Sequence, residues 1–336
     1  MEITNESPSK YHPVRNRILI VVALLAVLSV VGYKFLSNNN SGNFTAAAAQ
    51  PAEELVRDSI ETPPAYRWKE EFDRKLLHIT NGDTSGRWPV KTDYPLDGAL
   101  LPHKRILAYY GNLYSKQMGI LGEYPEAEML KKLQEEVANW QAADSVLEVV
   151  PALHYIAVTA QQSPGKGGKY RLRMPFHQID SVLKMAKKID ALVFVDIQVG
   201  LSTLQEEIPE LIEYLKLPHV HLGIDPEFSM KGGQAPGKVV GSFDAEDINY
   251  VTNYLAKLVK EYNLPPKVLV VHRFTRNMVT NYKNILTRPE VQIVMDMDGW
   301  GAPALKYSTY QQFIYREPVE FTGFKIFYKN ARKFGG

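Results

Sequence analysis

Cysteine is absent from this chain of 336 residues. That absence excludes disulfide bonds, thiolate metal sites, a cysteine nucleophile and a lipid anchor attached through cysteine. The sequence also lacks a GxGxxG fingerprint after its first predicted strand, a GxxxxGK[ST] phosphate loop and an HExxH zinc motif. These are the usual short signatures of dinucleotide, nucleotide and zinc sites. We therefore predict neither a cofactor nor a bound metal.

A strong charge of one sign is missing as well. The 39 basic and 37 acidic residues leave a net charge of +2, and no run of lysine and arginine forms a basic stripe. Proteins that bind nucleic acid usually show such a stripe. We therefore expect no nucleic-acid partner. The 45% apolar and 23% charged residues are typical of globular proteins.

One long apolar run is present, near the amino terminus. Residues 18–36 carry a single charge, at the end of the run, and Arg15 and Arg17 precede them. The length approaches the ~20 residues of a membrane-spanning helix, and the basic flank predicts a cytoplasmic tail at 1–17. The segment thus predicts a transmembrane anchor with the rest of the chain outside the cytoplasm, periplasmic or at the cell surface. A cleaved signal peptide, with an Ala-x-Ala site at 46–49 and a secreted product, and a buried core helix are the alternatives.

The remainder divides into three parts. Residues 37–54 are small and polar, which is typical of a flexible linker. Residues 55–103 predict a helix followed by a strap that packs on the domain. Residues 104–336 form the main predicted domain, in which short apolar runs alternate with amphipathic helical runs.

The alternation predicts parallel βαβ units. The predicted strands are 105–111, 147–158, 191–198, 220–228, 267–274, 291–299 and 321–328. The predicted helices are 125–141, 178–189, 206–216, 244–262 and 275–286. Seven strands over this length favour an α/β fold of the TIM type, a (β/α) barrel that is seven-stranded or distorted, behind the amino-terminal transmembrane helix. An eighth strand is either supplied by residues 80–104 or missing.

Polar side chains recur where the predicted strands end. The third strand ends in Asp196 and Gln198, the fourth in Asp225 and Glu227, and the sixth in Asp296 and Asp298. Residues two apart in a strand point to the same face. His272 with Arg273 and His154 with Tyr155 lie at the corresponding depth of the fifth and second strands. Because the active sites of barrels lie at the carboxyl ends of their strands, we predict an acidic cleft there.

Paired carboxylates on facing strands are the apparatus of glycoside hydrolysis. The predicted catalytic residues are Glu227, as the acid, with Asp225, Asp298 and Asp196. The predicted substrate-binding residues are Asp296, Gln198, His272, Arg273, His154, Tyr110, Glu123, Trp300 and Tyr328. The expected partner is a carbohydrate or cell-wall polymer.

Two other functions remain open. Asp196, Asp225, Glu227, His272 and Asp296 are also suitable ligands for a divalent metal in a metal-dependent hydrolase, although no closely spaced histidine pair supports this. The barrel rim is also compatible with a second alternative, a non-catalytic envelope protein that binds a glycan or a protein partner. The pair His219 and His221 begins the fourth strand, at the opposite end from the site, and is interpreted as structural.

Two segments carry a resemblance. YYGNLYSKQMGILGEYP at 109–125 and VHLGIDPEFSM…PGKVVG at 220–241 resemble an uncharacterised family of secreted or lipid-anchored bacterial proteins with a TIM-barrel-like, glycoside-hydrolase-like domain. The resemblance covers most of residues 104–330 and implies export and a barrel, but no assigned substrate. The chain departs from the lipid-anchored members because it has no cysteine.

Overall fold

The computed structural model describes residues 64–327, with side chains from Trp68 onward. The strands are β1 Lys104–Gly111, β2 Glu148–Ala160, β3 Arg171–Arg173, β4 Leu192–Ile197, β5 Val220–Ile224, β6 Phe243–Asp244, β7 Lys267–Arg273, β8 Val279–Thr280, β9 Val291–Met297 and β10 Phe321–Phe324. The helices are α1 Pro64–Ile79, α2 Ile120–Glu123, α3 Glu126–Ala143, α4 Phe176–Lys187, α5 Leu204–Glu207, α6 Ile212–Leu215, α7 Ala245–Tyr262 and α8 Pro303–Thr309.

The main sheet has seven parallel strands in the order β1-β2-β4-β5-β7-β9-β10, and β3 pairs antiparallel with the end of β2. Strands of this sheet that follow one another in the chain are neighbours, as expected for successive βαβ units. The predicted α/β fold with seven strands is therefore confirmed.

The sheet curls into a half-barrel. Tyr110 of β1 and His272 of β7 are separated by three strands in the sheet order, yet their rings lie 5.6 Å apart. The Nζ of Lys325, just after β10, lies 3.7 Å from the ring centroid of Tyr110. Within the described residues β1 and β10 do not pair, so the curl stops short of a closed barrel. Residues 80–103 supply no eighth strand.

Two apolar layers stabilise this curl. The larger core lies between the outer face of the sheet and the helices, and it includes Leu153, Val195 and Leu222 with Leu255 of α7. The smaller core fills the inside of the curl beneath the strand ends, around Ala152, Phe194 and Val268. Alternate residues of each strand therefore face the helices or the interior.

The segment 80–103 reaches the sheet at the amino end of β9. The side chain of Gln292 accepts hydrogen bonds from the backbone N–H groups of Leu100 and Leu101, both at 3.0 Å. Its amide donates in return to the carbonyl of Leu101 at 2.6 Å. These bonds tie the segment to the end of the half-barrel opposite the predicted site.

Several elements differ from those predicted. The helix predicted at 275–286 is wrong, because this stretch holds β8 and two 3₁₀ turns, Arg276–Met278 and Tyr282–Asn284. Asn281 is left-handed there at φ 55°, and β8 pairs with β6 instead of continuing a helix. The helix predicted at 206–216 is broken at Pro209, which lacks the N–H that a continuous helix needs.

Three of the predicted segments belong to the amino-terminal part of the chain. The tail at 1–17, the anchor at 18–36 and the linker at 37–54 lie outside the described residues. Among the helices from residue 64 to residue 327, none has the length and apolar character needed to cross a bilayer.

Candidate active site

The carboxyl ends of the parallel strands bring a set of polar side chains into the curl. Asp196 of β4, His272 of β7 and Asp296 of β9 face the interior because each lies two residues beyond an apolar inward residue. The others that join them are Tyr110, His154, Gln198, Asp225, Glu227, Asp298 and Lys325.

Asp196 lies at the centre of this cluster and is fully buried. Its Oδ2 accepts a hydrogen bond from the hydroxyl of Tyr110 at 3.0 Å. Its Oδ1 lies 3.3 Å from Nε2 of His154 and 3.4 Å from Nε2 of His272. A carboxylate at this depth is stable only with such partners, because desolvation of an unpaired charge is costly.

His272 links Asp196 to the strand β9. Its Nδ1 lies 3.1 Å from Oδ2 of Asp296 and 3.4 Å from Oδ2 of Asp298. Burial alone would lower the pKa of His272, but the charge of Asp196 and the hydrogen bond to Asp296 raise it well above its usual value. Burial likewise opposes ionisation of Asp196, yet the charge of His272 holds its pKa well below the usual range.

His154 differs from His272 in its surroundings. Its ring stacks on Phe194 with 5.1 Å between centroids, and burial lowers its pKa. The pKa values of the two histidines that contact Asp196 are therefore shifted in opposite directions.

Two glycines make room for these side chains. A Cβ at Gly223 of β5 would lie 2.2 Å from Oδ1 of Asp196 and 2.5 Å from Nε2 of His154. A Cβ at Gly323 of β10 would lie 2.6 Å from Oδ1 of Asp296. The inward positions of these two strands are thus occupied by side chains from their neighbours.

Asp225 and Glu227 follow β5 on a turn. The strand predicted at 220–228 ends at Ile224 because Pro226 begins a 3₁₀ turn, and Oδ1 of Asp225 caps this turn by accepting from the N–H of Glu227 at 3.1 Å. Burial and the nearby charges of Asp298 and Asp196 raise the pKa of Asp225 to about 8, although the charge of His272 opposes this. Burial and the charge of Asp298 also raise the pKa of Glu227.

These two carboxyl groups differ in access. Asp225 is 2% exposed, and its Oδ2 accepts from Nε2 of Gln198 at 3.4 Å. Glu227 is only half-buried. Of the pair, Glu227 is therefore the one whose side chain is more open to solvent.

Asp298 lies on the segment directly after β9. Its Oδ2 accepts from Nζ of Lys325 at 2.9 Å. Its Oδ1 is buried and has no hydrogen-bond partner among the described residues. Burial alone would lower the pKa of Lys325, but Asp298 and Asp225 raise it above its usual value.

Other predicted residues lie at the rim or outside the described part. Trp300 is 68% exposed on the loop after β9, and its ring centroid lies 5.6 Å from that of Phe327. Glu123 ends α2, on the segment after β1. Tyr328 falls just beyond the described residues.

Arg273, a predicted substrate-binding residue, is not brought to the cluster. It follows His272 directly, so its side chain points to the opposite face of β7. The guanidinium is fully buried there, pairs with Glu317 at 2.5 Å and donates to the carbonyl of Phe313 at 2.9 Å. Arg273 therefore holds the loops outside the sheet together.

Sequence reasoning missed Lys325 and the two glycines. Lys325 lies two residues after Gly323 in an otherwise apolar stretch, FTGFKIF, and that isolated charge on the inward face was the available signal. The glycines were detectable only as missing side chains at inward positions.

Comparison of the sequence with known proteins gave no matching family model and no matching curated protein.

Proposed function

We propose that the chain is a glycoside hydrolase that acts on a carbohydrate or cell-wall polymer outside the cytoplasm, anchored to the membrane through residues 18–36. Glu227 is the general acid and Asp298 the facing base or nucleophile. The observation that carries this proposal is a reachable carboxyl group with a raised pKa beside a second carboxylate that is paired with a lysine.

The raised pKa of Glu227 supports its role as the acid. A general acid must hold its proton until the glycosidic oxygen takes it. Burial and the charge of Asp298 both favour the protonated form of Glu227. Pairs of carboxyl groups in different environments divide the acid and base roles in this way.

Asp298 supplies the second group. Lys325 donates only to its Oδ2, so the Oδ1 has no hydrogen-bond partner among the described residues, and we assign to this oxygen the attack on the anomeric carbon or the acceptance of a proton from water. We assign this role to Asp298 rather than to Asp196, since Asp196 is fully buried and already accepts from Tyr110. In the reaction the glycosidic C–O bond breaks, the leaving oxygen takes the proton of Glu227, and water supplies the new hydroxyl and restores the proton.

One observation favours a second function, binding of a glycan or protein partner without turnover. Asp298 is 7% exposed and already paired with Lys325, and Asp225 is 2% exposed. Carboxylates that are buried, one of them paired with a lysine, are compatible with a site that binds a ligand without catalysing a reaction.

Release of reducing ends from a panel of polysaccharides and cell-wall fragments tests the proposal. The comparison is between wild type, Glu227→Gln and Asp298→Asn, with Glu210→Gln as a control on the outer surface. Thermal shift with the same panel is measured in parallel, because a ligand that binds the folded state raises its melting temperature.

We expect wild type and Glu210→Gln to cleave at least one polymer. In Glu227→Gln and Asp298→Asn the cleavage rate should fall by about 10²–10⁴-fold. A polymer that raises the melting temperature of wild type without being cleaved would instead favour the binding function. Equal turnover by all four proteins would refute the assignment of Glu227 and Asp298.

A further inference from the structure

Three buried polar atoms in the cluster converge without hydrogen-bond partners. Nε2 of His154, Oδ1 of Asp196 and Nε2 of His272 are each buried, and none has a hydrogen-bond partner among the described residues. The three residues are at most 5% exposed. Buried polar groups are nearly always hydrogen-bonded, so three such atoms in one place are suited to hold a ligand.

Their spacing is close to that of metal ligands. Oδ1 of Asp196 lies 3.3 Å from Nε2 of His154 and 3.4 Å from Nε2 of His272. All three ligand atoms lie within 4.8 Å of one another. Atoms bound to one tetrahedral zinc ion at ~2.0–2.2 Å are separated by about 3.4 Å.

The contacts are not aligned as hydrogen bonds. Nε2 of each histidine lies at ion-pair distance from Oδ1 of Asp196, but neither contact has hydrogen-bond geometry. Metal binding requires both rings to be neutral, and two neutral imidazole nitrogens beside a carboxylate oxygen offer three lone pairs to one cation.

The surroundings also suit a metal site. The other ring nitrogen of His272 contacts Oδ2 of Asp296 at 3.1 Å. A histidine that binds a metal almost always donates its second N–H to such a carboxylate, which fixes the ring. The remaining oxygen of Asp196 is held by the hydroxyl of Tyr110. The ring of His272 and the carboxylate of Asp196 are therefore each held in place by a second contact.

We propose that His154, Asp196 and His272 bind a divalent transition-metal ion, for which zinc is the appropriate probe. Two imidazole nitrogens and one carboxylate oxygen are ligands that zinc accepts, whereas magnesium and calcium prefer oxygen alone. Three protein ligands leave a coordination position for water. This site departs from the sequence-based expectation of no metal, and it does not depend on the proposed glycoside hydrolysis.

The test measures zinc content of the full-length chain, purified with a tag that contains no histidine and equilibrated with zinc before free metal is removed. Wild type is compared with His154→Gln, Asp196→Asn and Asp296→Asn. His177→Gln is the control, because His177 is exposed on α4 and lies outside the cluster. Circular dichroism establishes that each variant is folded.

We expect about one zinc ion per chain in wild type and in His177→Gln, and none in His154→Gln or Asp196→Asn. Asp296→Asn should bind zinc ~10–100-fold more weakly, since it removes only the orienting carboxylate. Wild type without stoichiometric zinc, or equal binding by wild type and folded His154→Gln, would overturn the proposal. If His154→Gln and Asp196→Asn fail to fold, the zinc stoichiometry of wild type and the zinc affinity of Asp296→Asn still test the proposal.

Discussion

Gly223 and Asp196 are paired across β4 and β5, and the carboxylate of Asp196 occupies the space that a side chain at 223 would need. A Cβ at this position would lie 2.2 Å from Oδ1 of Asp196, well inside van der Waals contact. The fully buried carboxylate therefore depends on the absence of a neighbouring side chain as well as on its hydrogen-bond partners.

Gly223→Ala should consequently displace Asp196 and His154. Overpacking a close-packed interior costs about 1–3 kcal/mol, and we expect a loss of this order in the free energy of unfolding. Denaturant titration measures it. Gly299→Ala is the matched control, because its nearest contact is the sulfur of a flexible methionine, Met297, at 3.2 Å. Equal stability of the two variants would show that the cluster adapts without cost.

Asp225 should make the stability depend on pH. Its pKa is raised to about 8 in the folded chain, mainly by burial, whereas the unfolded value is near the ordinary 3.8. The folded state therefore keeps a proton that the unfolded chain has already released, and the free energy of unfolding falls as the pH rises from about 4 to about 8.

Asp225→Asn removes this dependence. The stability of the variant relative to wild type should increase steadily between pH 5 and pH 8, as measured by thermal unfolding at each pH. Asp97→Asn, at an exposed position, is the control and should show no such trend. A difference between Asp225→Asn and wild type that stays constant with pH would mean that Asp225 is ionised in the folded chain.

Arg273 should behave as a structural residue. Arg273→Met removes the donor to Oε2 of Glu317 and to the carbonyls of Thr275 and Phe313. Breaking a buried ion pair typically costs ~3–5 kcal/mol, so we expect a large loss of stability in chemical denaturation. Arg276→Met, which removes an exposed partner of the same Glu317, should cost far less. A stable Arg273→Met protein that has lost ligand binding would return this residue to the site.

Trp300 is the expected stacking surface for a sugar ring. It is 68% exposed at the rim, so its replacement by alanine should leave stability nearly unchanged. Loss of one aromatic contact of about 0.5–1.5 kcal/mol should weaken glycan binding by up to ~10-fold in calorimetry. Trp140→Ala is the control, since Trp140 lies on α3 beside Arg105 at the start of β1. A weaker affinity in both variants, or in neither, would contradict a role for Trp300.

The strand pattern explains how far the sequence predicts the fold. Apolar runs that alternate with helical runs located all seven parallel strands, and the two-residue period placed Asp196 and Asp296 on one face. The same period explains why Arg273 lies on the other side of β7 from His272, because adjacent residues of a strand face opposite sides. The helix predicted at 275–286 is wrong because the pairing of β8 with β6 outweighs the helical spacing of the local sequence.

The site was less predictable than the fold. Lys325 reaches Asp298 only because the sheet curls far enough to bring the end of β10 over the interior. Likewise, the contact of His272 with Asp196 joins β7 to β4, and these two strands are not neighbours in the sheet. Curvature is a property of the packed sheet, and the local sequence does not record it.

Cleavage of two substrates with different leaving groups tests the central claim, the role of Glu227 as the general acid, most directly. A natural glycoside needs its leaving oxygen protonated, whereas a dinitrophenyl glycoside releases a stable phenolate without that proton. The cleavage rate of Glu227→Gln should fall about 10²–10⁴-fold on the natural glycoside and far less on the dinitrophenyl glycoside. An equal loss on both substrates would contradict it.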